Sequence, residues 1–373
     1  MLDSRFSERD HFFMSRAIEL AKQGRFTTTP NPNVGCVLVK DNQIIGEGFH
    51  IQAGGPHAEV HALKMAGDNA KGATAYVTLE PCSHYGRTPP CAEGLINAGV
   101  GRVIAAMVDP NPEVAGRGLK MLEDVGIETD FGLLTNEAEA LNLGFLKRMR
   151  TNLPYIRCKL AASLDGKTAL HNGESKWITS SESRRVVQAL RAESCAVLSG
   201  ADTVIIDNAK LNVRFDELDE LDAKHSTRQP VRVIIDSQNR LTPELALFQQ
   251  ESKIIIARTK LDNSHTWPHF VEQVIVKATN DKVDLPALMA MLAERGINLV
   301  LLEAGATLAG KMFEANLVDE LVLFMAPKLM GHTSKSLINL PAFDAMSQVP
   351  ELEIKTLKHV GQDICLHALV KRN

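Results

Sequence analysis

The stretch from His57 to Cys91 restricts the possible folds of this chain more than any other. It opens with His57-Ala58-Glu59-Val60-His61 and closes with Glu80-Pro81-Cys82-Ser83-His84-Tyr85-Gly86-Arg87-Thr88-Pro89-Pro90-Cys91. An imidazole and two thiols lie here beside a carboxylate that is not needed as a ligand. Three protein ligands leave the fourth position of a zinc ion open for water, which is the arrangement of a catalytic site. A nearby carboxylate can then move protons to and from that water. His57 and Glu59 follow Gly54-Gly55-Pro56 at a helix start, and Cys82 is expected in the first helical turn after Pro81. Helix starts are electropositive and favour thiolates. Any one of these residues alone reads as an ordinary half-buried thiol or a surface histidine; together they read as a zinc site. His61, one turn further on, is a rival ligand. His57 is preferred because Glu59 then falls beside the metal.

Composition sets the outer limits. The chain has 373 residues and a formal net charge of −4, enough length for two domains with separate cores. Residues 1–150 carry 15 basic and 18 acidic side chains out of 41 and 45, so neither half is a basic module. Non-specific attraction to nucleic acid or anionic membrane is not expected. No apolar run approaches a membrane span, and Met1 to Arg16 lacks a signal-peptide core. Six scattered cysteines in a large chain do not suggest a disulfide framework, and cytoplasm is the expected compartment.

Periodicity places the elements. Residues 8–23 read as a helix with Gly24 as its C-cap, and Val34–Lys40 and Ile44–Phe49 as a hairpin turning at Asp41-Asn42. A helix over His57–Ala66 and a strand over Ala73–Leu79 follow. Pro81 is expected to open a helix that resumes at Ala92–Ala98. Val103–Val108 reads as a strand, and Gly116–Val125 and Glu137–Met149 as helices. Leu153-Pro154 then breaks the pattern, giving domains 1–150 and 151–373. In the second, strands are expected at Tyr155–Leu160, Ala196–Leu198, Val231–Ile235, Lys253–Ala257, Val274–Val276, Leu299–Leu302 and Leu321–Ala326. Helices are expected at Pro286–Arg295 and Leu308–Ala315. Such alternation indicates α/β sheets covered by helices.

Zinc deaminases carry H-x-E followed by P-C-x-x-C. Here the two cysteines are separated by eight residues. With Asn31-Pro32-Asn33-Val34-Gly35, that spacing resembles the deaminase half of the bifunctional riboflavin-biosynthesis deaminase–reductase family. The resemblance implies a cytidine-deaminase-like three-layer α/β domain in which His57, Cys82 and Cys91 hold one Zn2+ and Glu59 is the catalytic proton shuttle. It implies that Asn33, His50, His84 and Arg87 contact the substrate. That substrate is a diamino-hydroxy-pyrimidine bearing a phosphoribosylamino group, and the reaction is hydrolytic loss of its amino group as ammonia. Taken alone, Asn33 would only shape a turn and His50 only end a strand.

In the second half, Glu303-Ala304 followed by Gly305-Ala306-Thr307-Leu308-Ala309-Gly310-Lys311 joins a strand to a helix, and small residues there let a phosphate approach backbone N–H groups. The spaced dinucleotide fingerprint is absent. Lys159 to Lys167, Ser175 to Ser180 and Asp236-Ser237-Gln238-Asn239-Arg240 resemble the reductase half of the same family, so the resemblance spans nearly the whole chain. It implies a dihydrofolate-reductase-like α/β domain using NADPH. Ala161, Trp177, Thr203, Asp207, Ser237 and the loop Gly305 to Lys311 would touch NADPH. Ser175, Arg191, Leu211, Arg214 and Glu303 would hold the phosphoribosyl substrate. Guanidinium groups suit a phosphate, although an arginine alone reads as a surface charge and Trp177 alone as core. The chain departs from the family at Ala209, where proline is usual, which would loosen the loop near Asp207 and Leu211. The implied reduction is hydride transfer to the ribose C1, giving a ribityl chain.

Two other functions compete. One is a zinc deaminase acting on RNA or single-stranded DNA with a C-terminal nucleic-acid module, against which stand the neutral second half and only 5% aromatics. The other is a non-catalytic protein stapled by zinc, against which stands Glu59. The expected partners are small phosphoribosylaminopyrimidines, with no nucleic acid and no membrane. A homo-oligomer, dimer or tetramer, is expected.

Overall fold

The computed structural model describes residues 5–85, 89–218 and 228–371. The chain divides into two compact units, Met1–Asn152 and Leu153–Asn373, each with its own sheet and cores.

The first unit begins with α1 (Glu8–Lys22), closed at its N-terminus by a reciprocal Ser7–Asp10 capping box and burying Phe13, Met14, Ala17, Ile18 and Ala21. β1 (Gly35–Lys40) and β2 (Gln43–Phe49) pair antiparallel across Asp41 and Asn42, both at positive φ, which is the tight-hairpin conformation those residues tolerate. Then come α2 (Ala58–Ala66), β3 (Thr74–Val77), α3 (Cys91–Asn97), β4 (Arg102–Ala105), α4 (Arg117–Glu123), β5 (Glu128–Phe131), α5 (Thr135–Ala140) and α6 (Leu143–Thr151). The sheet order is β2-β1-β3-β4-β5, parallel from β3 onward. Side chains alternate across β1. Val37 and Val39 join a core with α1 and α6, whereas Cys36 and Leu38 join one with α2, α3 and α4. The sheet is thus the middle of three layers. Gly48 of β2 makes room for α2: a Cβ there would lie 2.4 Å from the Ala58 carbonyl oxygen.

Three expectations change. Among the described residues no helix follows Pro81: the backbone is irregular from Pro81 to Tyr85, and Pro90 caps α3 at Cys91. The expected helix 137–149 is two helices, because Asn142 leaves the helical conformation to exchange hydrogen bonds with the backbone of Asn33. β5, half exposed and polar, escaped the apolar-run criterion.

The second unit contains β6 (Tyr155–Ser163), β7 (Lys167–Ala169), α7 (Ser181–Glu193), β8 (Ala196–Gly200), α8 (Ala201–Asp207), β9 (Val231–Ile235), β10 (Ile254–Arg258), β11 (Val271–Ile275), β12 (Ala278–Thr279), β13 (Lys282–Val283), α9 (Leu285–Glu294), β14 (Leu299–Leu302), α10 (Ala306–Glu314), β15 (Glu320–Ala326), β16 (Lys335–Ser336), β17 (Leu352–Val360) and β18 (Asp363–Val370). The large sheet has the order β11-β10-β9-β8-β14-β6-β15-β18-β17, parallel from β11 to β15 and antiparallel through β18 and β17. Its central parallel strands are buried on both faces, with Leu198, Val233, Leu302, Leu288 and Met312 in the core on one side and Val197, Ile234, Leu301 and Leu247 in that on the other. Among the described residues, no helix is long and apolar enough to cross a membrane.

Candidate active sites

In the first unit, His57 ends an extended segment and is the N-cap of α2, which points its ring back toward the turn before α3. Its Nδ1 lies 3.5 Å from Cys82 Sγ and 3.2 Å from Cys91 Sγ. The three donor atoms lie within 4.8 Å of one another, the one such group among the described residues. An imidazole nitrogen and two sulfurs at this spacing fit a tetrahedral zinc ion that retains an open position. Cys91 begins α3 and its N–H donates to Cys82 Sγ at 3.3 Å, so the helix start serves both sulfurs. Hydrogen bonds from Cys91 and His57 hold the Cys82 thiol well below its usual range. His61, the rival, is not in this group; its Nε2 is buried without a hydrogen-bond partner.

Glu59, in the first turn of α2, is 3% exposed, and its Oε2 has no hydrogen-bond partner. Burial raises its pKa above the ordinary carboxylate value. A buried carboxylate beside the donor set, unengaged at one oxygen, is placed to take up and release protons.

Glu80 has a role that the sequence did not reveal. Its buried carboxylate accepts backbone N–H bonds from Asp109, Gly116, Gly118 and Leu119 at 3.0, 2.9, 2.8 and 3.4 Å. It therefore ties the cysteine turn to the start of α4. Asp109 is buried beside it, and that burial pushes its carboxyl up to about 6. A carboxylate two residues before a candidate metal cysteine was the available signal.

The expected substrate contacts divide. His50 is buried with its ring edge-on to that of His57, centroids 5.3 Å apart. Its Nδ1 donates to the Pro56 carbonyl at 3.0 Å and its Nε2 faces the Asn31 amide at 3.2 Å, so it is neutral and fixed. Burial lowers its pKa accordingly. Asn33 is turned inward instead: Thr28 donates to its Oδ1 at 2.7 Å and its Nδ2 donates to the Leu141 carbonyl at 3.0 Å. His84 is exposed on the cysteine turn. Arg87 lies outside the described residues.

In the second unit four of the candidate residues lie at or just beyond the carboxyl ends of parallel strands, where open α/β sheets bind ligands. Ala161 is near the end of β6, Thr203 follows β8, Ser237 follows β9 and Glu303 follows β14. A cavity of about 620 Å³ opens there, lined in part by Gly200, Ser237, Thr307, Leu308 and Lys311. α10 starts at its wall, and a Cβ at Gly305 would meet nothing within 4 Å, leaving the helix start open to a phosphate. Its size and its mixture of apolar and polar groups fit part of a dinucleotide. Not all of the glycine loop faces outward. Ala309 and Gly310 lie on the core side of α10, and a Cβ at Gly310 would sit 1.9 Å from the Asn339 carbonyl oxygen. Ala306 is half-buried at the first position of the helix. Asp207 is exposed at the end of α8. Trp177 is 65% exposed with the Arg184 guanidinium 4.5 Å from its ring centroid, and Ser175 lies two residues before it, half-buried.

Arg191 and Glu303 meet. The Arg191 guanidinium bonds both Glu303 oxygens, at 2.5 and 3.0 Å, and donates to the Asn212 carbonyl at 2.8 Å. Lys159, unassigned by sequence, completes a triad 3.2 Å from Glu303. Burial works against ionisation of Glu303, but Arg191 and Lys159 prevail and bring its pKa to about 2. Leu211 is buried at positive φ, and Arg214 is paired with Glu217 at 2.5 and 2.8 Å. The loop at Ala209 is not loose for want of proline. Ala209 and Leu211 pack into a core, and the buried Arg232 donates to the Lys210 carbonyl at 3.3 Å.

Comparison with known proteins identifies the family of both units. Residues 7–107 match the family model of the cytidine and deoxycytidylate deaminase zinc-binding region, and residues 154–366 that of the RibD C-terminal domain. The riboflavin biosynthesis protein RibD of Escherichia coli is 54% identical over 363 residues, covering 96% of this chain and 99% of its own length. A solved structure of Acinetobacter baumannii RibD superposes with a TM-score of 0.90 at 44% identity, covering 98% of this chain and 99% of that one. A second, from Thermotoga maritima, is described as a diaminohydroxyphosphoribosylaminopyrimidine deaminase/5-amino-6-(5-phosphoribosylamino)uracil reductase; it has a TM-score of 0.86 at 33% identity and covers 97% and 99% of the two chains. The fold is thus a cytidine-deaminase-like unit followed by a dihydrofolate-reductase-like one. The chain belongs to the RibD family of bifunctional riboflavin-biosynthesis enzymes, a hydrolytic deaminase and a reductase in one polypeptide.

Proposed function

We propose that the unit spanning residues 1–150 deaminates a diaminohydroxyphosphoribosylaminopyrimidine and that residues 151–373 reduce the resulting phosphoribosylaminouracil. The substrates are those that the Thermotoga relative's description specifies. The cofactors are Zn2+ and NADPH. The observation that carries the reading is the convergence of His57, Cys82 and Cys91 beside an unpartnered oxygen of Glu59.

His57 Nδ1 and the two sulfurs would hold the ion, which when bound supplies Lewis-acid activation of water at neutral pH. Glu59 takes a proton from the attacking water and delivers it to the pyrimidine ring nitrogen. It then passes a second proton to the departing amine, so that water is consumed, ammonia leaves and a carbonyl remains. His50, held neutral with both ring nitrogens engaged, packs edge-on against His57 and fixes the orientation of that ring. In the second unit NADPH supplies hydride, and the protein aligns it with the ribose C1. Lys159, Arg191 and Glu303 form the rigid wall against which the phosphoribosyl group is set.

The enzyme acts on free small molecules in the cytoplasm, not on nucleic acid, and works as a homo-oligomer. Six unbridged cysteines and the near-balanced charge support the first two statements. The exposed edge strand β17 supports the third.

The test is metal content, ammonia release and NADPH oxidation on the purified chain. Wild type is expected to hold one zinc per chain and to oxidise NADPH only after deamination. Glu59→Gln is expected to keep the zinc but lose about 10²–10⁴-fold in ammonia release. Equal release by variant and wild type would overturn the proton-shuttle role. NADPH oxidation by the variant is expected to return when deaminated substrate is supplied.

A further inference from the structure

The cavity of the second unit carries a charge arrangement that hydride transfer does not require. Three cations line it: Arg240, Lys282 and Lys311. Arg240 is already paired with Asp202 at 2.7 Å, and Lys311 with Glu314 at 2.6 Å, and both acids line the same cavity. The remaining acid, Asp284, is engaged as the N-cap of α9, accepting from the Ala287 N–H and the Thr279 hydroxyl, both at 2.8 Å. Among the described residues lining the cavity, Lys282 is thus the cation without an acidic partner.

Its position is built, not incidental. Lys282 is the first residue of β13, in a hairpin whose turn residues Asn280 and Asp281 both adopt positive φ. The hairpin is fixed at its base, where the Val283 N–H donates to Ser237 Oγ at 3.0 Å and the Val283 side chain is buried in the core. Ser237 itself follows β9, at the strand end where nucleotide ribose groups are read in open α/β sheets. Ile235, Leu285, Pro286 and Leu308 give the same cavity an apolar lining suited to a purine face. NADPH differs from NADH only by the phosphate on its adenosine 2′ oxygen, so a residue that separates them must meet that phosphate with charge.

We propose that Lys282 is a specificity-determining residue that receives the 2′-phosphate of NADPH and thereby sets the preference over NADH. The proposal rests on the reading that this cavity holds the adenosine half of the cofactor. Lys282 takes no part in hydride transfer; it discriminates through binding.

The test is the dissociation constants of NADP+ and NAD+ on the intact chain, measured by calorimetry for wild type, Lys282→Gln, Lys282→Arg and Leu308→Trp. Lys282→Gln is expected to weaken NADP+ about tenfold, as loss of one charge-assisted hydrogen bond would, and to leave NAD+ unchanged. Lys282→Arg restores the preference. Leu308→Trp, which fills the cavity, weakens both nucleotides alike; Thr307→Trp, exposed on the same helix, replaces it should that variant misfold. If Lys282→Gln leaves the ratio of the two affinities unaltered while the cavity-filling variant weakens both, the role of Lys282 is overturned and the cavity reading stands. If the cavity-filling variants bind both nucleotides as wild type does, the cavity reading falls and the proposal with it.

Discussion

Glu80 shows how a residue without a ligand atom in the zinc centre can still decide its shape. It accepts four backbone N–H groups from the chain between Asp109 and Leu119, and it stands two residues before Cys82. Removing the carboxylate leaves buried donors unsatisfied, each costing about 1–3 kcal/mol. It also frees the turn that orients a metal sulfur, and partners behind a metal ligand typically govern about 10–100-fold of metal affinity. Glu80→Ala is therefore expected to lower zinc affinity by about 10–100-fold, measured by chelator competition, alongside a lower urea midpoint for the first unit. Wild-type affinity in the variant would show that the cysteine turn holds itself. The convergence of the three donors was legible in the sequence because an imidazole and two thiols flanked by Glu59 and Pro81 have little other use in combination. The role of Glu80 was not, because its partners are backbone amides more than twenty residues away, which have no side-chain signature. Asn33 was legible as part of a motif, but its structural part was not: its backbone N–H and carbonyl exchange hydrogen bonds with the Asn142 amide, and nothing in its local sequence points to a partner so distant.

At the scale of elements, strands β1, β3, β4, β9 and β14 were legible because they are short apolar runs bounded by breakers. α7 and the hairpin of β17 and β18 were not. α7 carries only a narrow apolar stripe, with Val187 and Ala192 buried, on a helix otherwise covered by arginine and glutamate. β17 is exposed along nearly its whole length, so it lacks the alternation that marks a half-buried strand. That exposure is itself informative. β17 is a nine-residue strand at the edge of the sheet, and Leu352, Ile354 and Leu357 stand opposite Val370, Ala368 and Leu366 of β18. The partners alternate by two, so the irregularity between Ile354 and Thr356 keeps the three apolar side chains on one face. Ile354 and Leu357 are 60% and 62% exposed. A long apolar edge left uncovered invites pairing with another chain, and a second copy offers the same edge in return. The double variant Ile354→Lys, Leu357→Lys is expected to shift the protein toward the monomer in light scattering at fixed concentration while leaving deamination at saturating substrate intact. An unchanged mass in solution would remove β17 from the proposed oligomer interface.

The whole molecule offers a way to observe one unit without the other, because both tryptophans, Trp177 and Trp267, lie in the second. Fluorescence of the intact chain therefore reports unfolding of residues 153–373 alone. Among the carboxylates which that unit buries, Glu303 and Glu320 are held ionised by cations. Glu303 sits between Arg191 and Lys159, and Glu320 takes hydrogen bonds from His367 and Arg157. In each, burial favours the neutral form but the partners prevail, and both pKa values fall to about 2 from the ordinary 4.5. A carboxyl group whose folded pKa lies below its unfolded value contributes stability that is present above the unfolded pKa and is lost as the pH falls through the folded one. The window is thus from about 4.5 down to about 2, and protonation within it also strands the buried charges of Arg157 and Arg191. The urea midpoint read by tryptophan fluorescence is expected to be level from neutral pH to about 5 and to fall steeply below 4.5, whether or not zinc has been removed from the first unit beforehand. A midpoint that holds level down to pH 3 would mean that these two carboxylates are not held ionised by their partners; one that moves on zinc removal at neutral pH would mean that the two units do not unfold as separate bodies.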